Sequence, residues 1–259
     1  MAVTKEILAL AVEIGDALLR NGAEVYRVED TVMHILEAYE IENYDVYVLS
    51  NGIFASANED REDACSMIRH IPLGTTHLGR IAALNQLSRE ICSHECSLID
   101  AWDRLEECKN ISFGKPIVHV FFCGLGCGCF SYLFGGTALD GVVGFFIGML
   151  LQVFLFVLKR HKNSKFITNI LGSAFVTLLS LIVLSFGAPI LYDKVIIGDI
   201  MPLVPGIALT TSIRDFFNGD YLSGAIHMID AILTAFCIAV GVGTVITIYH
   251  FAMGGAALL

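Results

Sequence analysis

The chain has 259 residues, 55% of them hydrophobic, with a formal net charge of −10 at pH 7. Its mean hydropathy is +0.69, above the range usual for soluble globular chains, and an acidic surface makes a poor nucleic-acid face, so that class of partner is set aside. The charge is divided unevenly: residues 1–116 hold 10 Lys and Arg against 20 Asp and Glu, and residues 117–259 hold six of each. This pattern predicts an acidic α+β domain over residues 1–115, followed by a polytopic α-helical membrane domain over residues 116–259.

The N-terminus does not read as a secretory signal, because Glu6, Glu13 and Asp16 interrupt its apolar residues. Ile7, Leu8, Ala11, Ile14 and Leu18 recur at helical spacing, and Asn21-Gly22 supplies a stop. A second helix buries Val25, Val28, Val32, Ile35 and Leu36, leaving Glu24, Arg27, Glu29, Asp30 and Glu37 as an ionic face. Such a face is a solvated surface, a docking site or a cation site. Strand alternation runs from Tyr44 to Leu49, Asn51-Gly52 is a hairpin signal because both residues tolerate positive φ, and Ile53–Ala57 is the returning strand. Residues 58–63 (NEDRED) read as a loop, Cys65–Ile71 as a third strand ended by Pro72, and Leu78–Ile91 and Leu98–Leu105 as two further helices. The order α-α-β-β-β-α-α suits helices covering an antiparallel sheet.

Chemistry-bearing residues are sparse in this part. His34, His70 and His77 could act as bases, and Ser50, Ser56, Thr75 and Thr76 as nucleophiles. None lies in a nucleophile elbow, a P-loop or a metal-binding spacing, so no enzyme activity is expected. The eight cysteines form no C-x-x-C pair, and neither a metal nor another cofactor is expected.

GDALLRNGAEVYRVEDT (residues 15–31), VYVLSNGIFAS (46–56) and the proline-broken MPLVPGIALTTSIRDFFNGD (201–220) together resemble the bacterial threonine/serine exporter family over nearly the whole chain. Ser212 stands where that family's pattern has asparagine after Thr211. The resemblance implies a cytoplasmic domain joined to membrane helices in a bacterial plasma-membrane protein. It also implies export of a small solute, threonine- or serine-like or, in related members, a dicarboxylate such as succinate. Single-chain members carry roughly twice the membrane segments, so this chain resembles their first half, and a second small membrane subunit is the implied partner beside membrane lipid.

A bilayer core takes about 20 apolar residues per helix. Five spans are predicted near residues 117–135, 139–158, 166–186, 195–213 and 221–251. Lys159, Arg160, Lys162 and Lys165 crowd the loop after the second span, which the positive-inside rule places in the cytoplasm with the acidic domain. Cys123–Cys129 (CGLGCGC) reads as a small-residue surface for close helix packing, as do the glycines of the second and fifth spans. Asp140 reads as a loop or interface residue, and His119 lies at the start of its span.

The fourth span is interrupted by Pro202, Pro205 and Gly206. Each proline removes a backbone donor, and broken backbone at membrane depth is tolerated where protein or a water-filled cavity satisfies the freed groups. The segment is therefore a kinked structural helix or a transport site of the discontinuous-helix kind. In the second case the solute and ion pathway comprises Asp199, Pro202, Pro205, Gly206, Thr210, Thr211, Arg214 and Asp215, with His227 and Asp230 from the next helix. Asp230, in an apolar stretch one turn after His227, is a buried proton carrier or an interfacial group near the headgroups. Asp199 is comparable. The resulting reading is a proton-coupled secondary exporter subunit, and the competing one is a membrane-anchored ligand sensor, for which five spans are more than an anchor needs.

Overall fold

A computed structural model describes residues 2–58, 64–72, 74–112, 114–160 and 164–252. The loop expected at 59–63 and the loop lysine Lys162 lie outside these residues. Ten α-helices and three strands are present among the described residues. They cluster into two compact units, Met1–Phe113 with Thr210–His227, and Gly114–Leu209 with Met228–Leu259.

The first unit is built around α1 (Ala2–Arg20), whose Leu8, Leu10, Ile14 and Leu18 are all fully buried. Around it pack α2 (Val25–Ala38), α3 (Leu78–Cys92), α4 (Leu98–Lys109) and a sheet of β1 (Tyr44–Leu49), β2 (Gly52–Ala57) and β3 (Cys65–His70). A helix apolar on most of its circumference needs such enclosure. It ends at Gly22, whose φ of +79° lets Ala23 N–H return to the Leu18 carbonyl at 3.0 Å. The sheet is antiparallel in the order β1-β2-β3, as alternation suggested. Its hairpin differs by one residue from the sequence expectation. Leu49 pairs with Gly52, so Ser50 and Asn51 form the turn and Gly52 opens β2. Neither Asn51 nor Gly52 takes a positive φ; strand register, set by the buried face of Val46, Val48, Ile53 and Ala55, overrides the local turn preference.

The second unit holds α5 (Pro116–Leu133), α6 (Ala138–Arg160), α7 (Lys165–Ser185) and α8 (Tyr192–Ile200). A short 3₁₀ turn, Met201–Leu203, follows α8. Beyond it run α9 (Gly206–Phe217) and α10 (Tyr221–Ala252). Four helices, α5, α6, α7 and α10, are long and apolar enough to cross a membrane. A fifth span is counted if the bent pair on either side of the prolines is one. With 32 residues, α10 is about 48 Å long, well beyond the ~30 Å hydrocarbon core. The outward faces of α6 and α10 carry large apolar side chains such as Phe146 and Leu150, and Ile232 and Phe236, a surface suited to lipid.

Small residues set the packing of this unit. A Cβ built at Gly128 would lie 2.5 Å from the Gly141 carbonyl, and one at Gly148 would lie 2.6 Å from Cys127 Cβ. The CGLGCGC run is thus the surface of α5 that meets α6. Phe154 and Phe175 stack at 4.4 Å between α6 and α7. The buried hydroxyls of α7 are satisfied within their own helix, Thr177 donating to the Ser173 carbonyl at 2.8 Å and Ser180 to that of Val176 at 3.0 Å. Asp140, wholly buried, accepts from the Thr137 and Leu191 N–H groups at 2.6 and 2.9 Å, which ties the start of α6 to the start of α8.

Gly128→Leu forces α5 and α6 apart at their closest approach, and overpacking of this kind costs ~1–3 kcal/mol. Gly243→Ala, where an added Cβ meets nothing within 4 Å, serves as the matched control. Thermal unfolding in detergent should show a lowered midpoint for the first variant and an unchanged or slightly raised one for the second.

Candidate functional site

The fourth span breaks where its sequence demands. Pro202 and Pro205 have no N–H to continue the ladder, and the chain tightens to shorter-range bonds instead. Met201 N–H bonds to the Gly198 carbonyl, Val204 N–H to that of Met201 at 3.1 Å, and Gly206 N–H to that of Val204 at 2.9 Å. Val204 is extended, with φ −63° and ψ 131°, as a residue before proline must be. The two halves are bent by 60°.

A cavity of about 470 Å³ opens at this break. Met201, Pro202, Val204 and Gly206 form one wall; His119 and Cys123 of α5 and Gln152 of α6 supply polar groups on the other. The end of α8 and the start of α9 therefore meet at a cavity. That places opposite ends of two helix dipoles on one ligand-sized space.

Asp199 lies directly before the break and is wholly buried. Its neighbours are Cys127, whose Sγ is 3.9 Å from the Asp199 backbone carbonyl, and the small residues Ser131, Gly144 and Gly198. Neither carboxylate oxygen has a hydrogen-bond partner among the described residues.

Of the other candidate residues, Pro202 and Gly206 line the cavity and Pro205 separates the two helix halves. The rest are placed elsewhere. Thr210 to His227 fold with the first unit. There Arg214 forms an ion pair with Glu24, Asp215, 1% exposed, meets His227 Nδ1 at 3.0 Å, and Ser212 Oγ donates to the Gly224 carbonyl at 2.7 Å. Ser50 N–H of the hairpin donates to Ser223 Oγ at 3.1 Å. Thr210 is exposed and Thr211 half-buried. Asp230 is neither buried nor alone. It is half-buried and paired with Lys165 at 2.6 Å. The polar residues of the cavity wall, His119, Cys123 and Gln152, were not candidates; Gln152 alone carried a signal, as a lone amide in the apolar run LLQVFLFVL.

The ionic face of α2 has a defined role in this geometry. Glu24 takes Arg214 and, through its other oxygen, Arg27 at 3.2 Å. Glu29 accepts the Val48 N–H at 3.1 Å, joining α2 to β1. Burial raises the Glu29 carboxyl above its ordinary range against the opposing effect of the Val48 bond, and the charge of Asp220 raises it further. Asp220 is raised likewise, by burial and then by Asp215.

The class defined by this architecture is a multi-pass helical membrane protein with a cavity at a broken span. The profile of the threonine/serine exporter family ThrE matches residues 9–249, and the chain belongs to that family, which is one of transporters and not of enzymes. The "Threonine/serine exporter" of Corynebacterium glutamicum is 22% identical over 245 residues, 92% of this chain and 50% of that protein. The "Probable threonine/serine exporter" of Mycobacterium tuberculosis is 22% identical over 92% of this chain and 45% of its own length. The "Probable succinate transporter subunit YjjP" of Klebsiella aerogenes is 23% identical over 95% of both chains. The chain thus spans about half the length of the first two and nearly all of the third. No solved structure matches it.

The raised Glu29 carboxyl carries a stability consequence with a definite sign. A carboxyl raised on folding disfavours the folded state once it is ionised. Its cost is absent below the unfolded value, ~4.3 for glutamate, and grows as pH rises through the folded value. Glu29→Gln keeps an acceptor for Val48 and removes the charge. Melting curves across pH should show the variant more stable than wild type at neutral pH, with the gap closing towards pH ~4.

Proposed function

We propose that the chain is the membrane subunit of a secondary exporter for small amino acids of the threonine/serine type, driven by protons. The cavity at the proline break carries this reading. Its volume, about 470 Å³, is in the range of small-molecule sites. A zwitterion matches its two ends, the ammonium group at the negative end of α8 and the carboxylate at the positive end of α9. A dicarboxylate such as succinate is the second reading, favoured by the Klebsiella relative that the chain matches end to end.

The names and lengths of the relatives support a partner. Two relatives named as exporters are about twice as long as the matched region, whereas the one of equal length is named a subunit. A second small membrane protein completing the pathway accounts for both. The acidic N-terminal domain is cytoplasmic in this reading, on the side of Lys159, Arg160 and Lys165, and the membrane is the bacterial plasma membrane.

Inverted vesicles containing the chain with and without its partner should accumulate threonine or serine under a pH gradient only when both are present. Succinate accumulation instead would establish the second reading. If no member of an amino-acid and dicarboxylate panel moves under either condition, the exporter reading fails. In a cysteine-free background, a cysteine at position 159 should be shielded from outside reagents in intact cells and one at position 192 open to them. The opposite pattern would invert the topology.

A further inference from the structure

Four aspartates belong to the second unit, and three have a partner. Asp140 accepts the Thr137 and Leu191 N–H groups, Asp193 meets Lys194 at 3.1 Å, and Asp230 meets Lys165 at 2.6 Å. Asp199 is wholly buried with both oxygens unpartnered among the described residues. A carboxylate anion in that position has at most the weak donor of the Cys127 thiol, where a buried charge requires several strong ones. It also sits in the last turn of α8, where the helix dipole places its negative end. Both features favour a positively charged guest.

The walls narrow the identity of that guest. A Cβ at Gly144 would lie 2.6 Å from Ser131 Oγ and 3.2 Å from Asp199 Oδ1, and Gly198 has no room for a Cβ against Ser131. Ser131 spends its hydroxyl proton on the Cys127 carbonyl at 2.9 Å. Hard metal cations bind through several oxygens, and this wall offers one hydroxyl, a thiol and glycines. No His, Cys, Asp and Glu group fit to hold a metal occurs among the described residues. A proton needs no such shell. The ionisable groups on the packed elements are few. Cys123 and Cys127 face Asp199 from α5, and His119 of the same helix lines the cavity; Asp140 of α6, Lys165 of α7, and Asp193 and Lys194 of α8 are engaged as described. The cavity is close by: Cys123 lines it one turn before Cys127, and Met201 and Pro202 line it two and three residues after Asp199.

We propose that Asp199 is the proton carrier of the transport cycle. This rests on the exporter reading above and specifies its coupling site. The carboxylate accepts one proton by way of the cavity, forming one O–H bond, and releases that proton to the opposite side as one solute leaves. Asp230 holds Lys165 and does not take part.

Full-length chain, reconstituted with the partner subunit where flux requires it, tests this with threonine, serine and succinate as probes. Asp199→Asn should lower pH-driven accumulation by roughly tenfold or more while counterflow at equal pH persists. Asp230→Asn should keep both. Normal pH-driven accumulation in Asp199→Asn overturns the assignment and leaves the exporter reading intact, whereas a wild type that moves no probe overturns the exporter reading itself. Wild-type transport driven by a sodium gradient and indifferent to pH overturns the proton as the guest. If Asp199→Asn does not assemble, Asp199→Glu, which keeps a titratable group in altered geometry, should shift the pH midpoint of transport, and an unshifted profile rejects the proposal.

Discussion

The membrane unit depends on one constraint, that backbone polar groups in hydrocarbon must find partners within the protein. Pro202 and Pro205 break the i→i−4 ladder of an apolar segment, so the chain has to resolve the break locally. It does so with a tight 3₁₀ turn, in which the Gly198, Met201 and Val204 carbonyls each take a nearby N–H. That solution shortens α8 and starts α9 in a new direction. It also requires close approach by α5, whose Gly124, Cys127, Gly128 and Ser131 are buried against α6 and α8. The cavity forms where these small residues give way to His119 and Cys123, on the side of the break away from the packed seam.

The proline-broken stretch from Met201 to Asp220 therefore does two things. Its first half makes a cavity wall. Its second half, with the first turns of α10, is part of the α+β unit and is fixed there by specific contacts, Arg214 with Glu24, Ser223 with the Ser50 amide, and Asp215 with His227. The acidic face of α2 is built for this attachment, since Glu24 bridges Arg214 and Arg27 rather than facing solvent alone.

Local pattern revealed what local forces control. Helical spacing of Leu8, Ile14 and Leu18, alternation from Tyr44 to Leu49, and the prolines at 202 and 205 each act within a few residues, and the elements they predict are present. Partners separated by long stretches of chain were not legible. Arg214 meets Glu24 across 190 positions, and Lys165 meets Asp230 across 65. Periodicity carries no information on such pairs, so neither the Glu24 partner of Arg214 nor the Lys165 partner of Asp230 was foreseen. The hairpin failed for a related reason. Asn51-Gly52 is a strong local signal, but the inward faces of β1 and β2 decide the register.

The contrast among Asp140, Asp230 and Asp199 shows how environment, rather than residue type, assigns their roles. Asp140 has backbone donors and acts as a clamp; Asp230 has an ammonium group and acts as an anchor. Asp199 has neither among the described residues, and the glycines that hold the unit together lie against it. At Gly144 and Gly198 the absence of a side chain lets α5, α6 and α8 touch around the carboxylate. Close packing is the main source of cohesion between helices in a bilayer. Here the same close packing encloses Asp199, whose carboxylate oxygens have no hydrogen-bond partner among the described residues, beside the break.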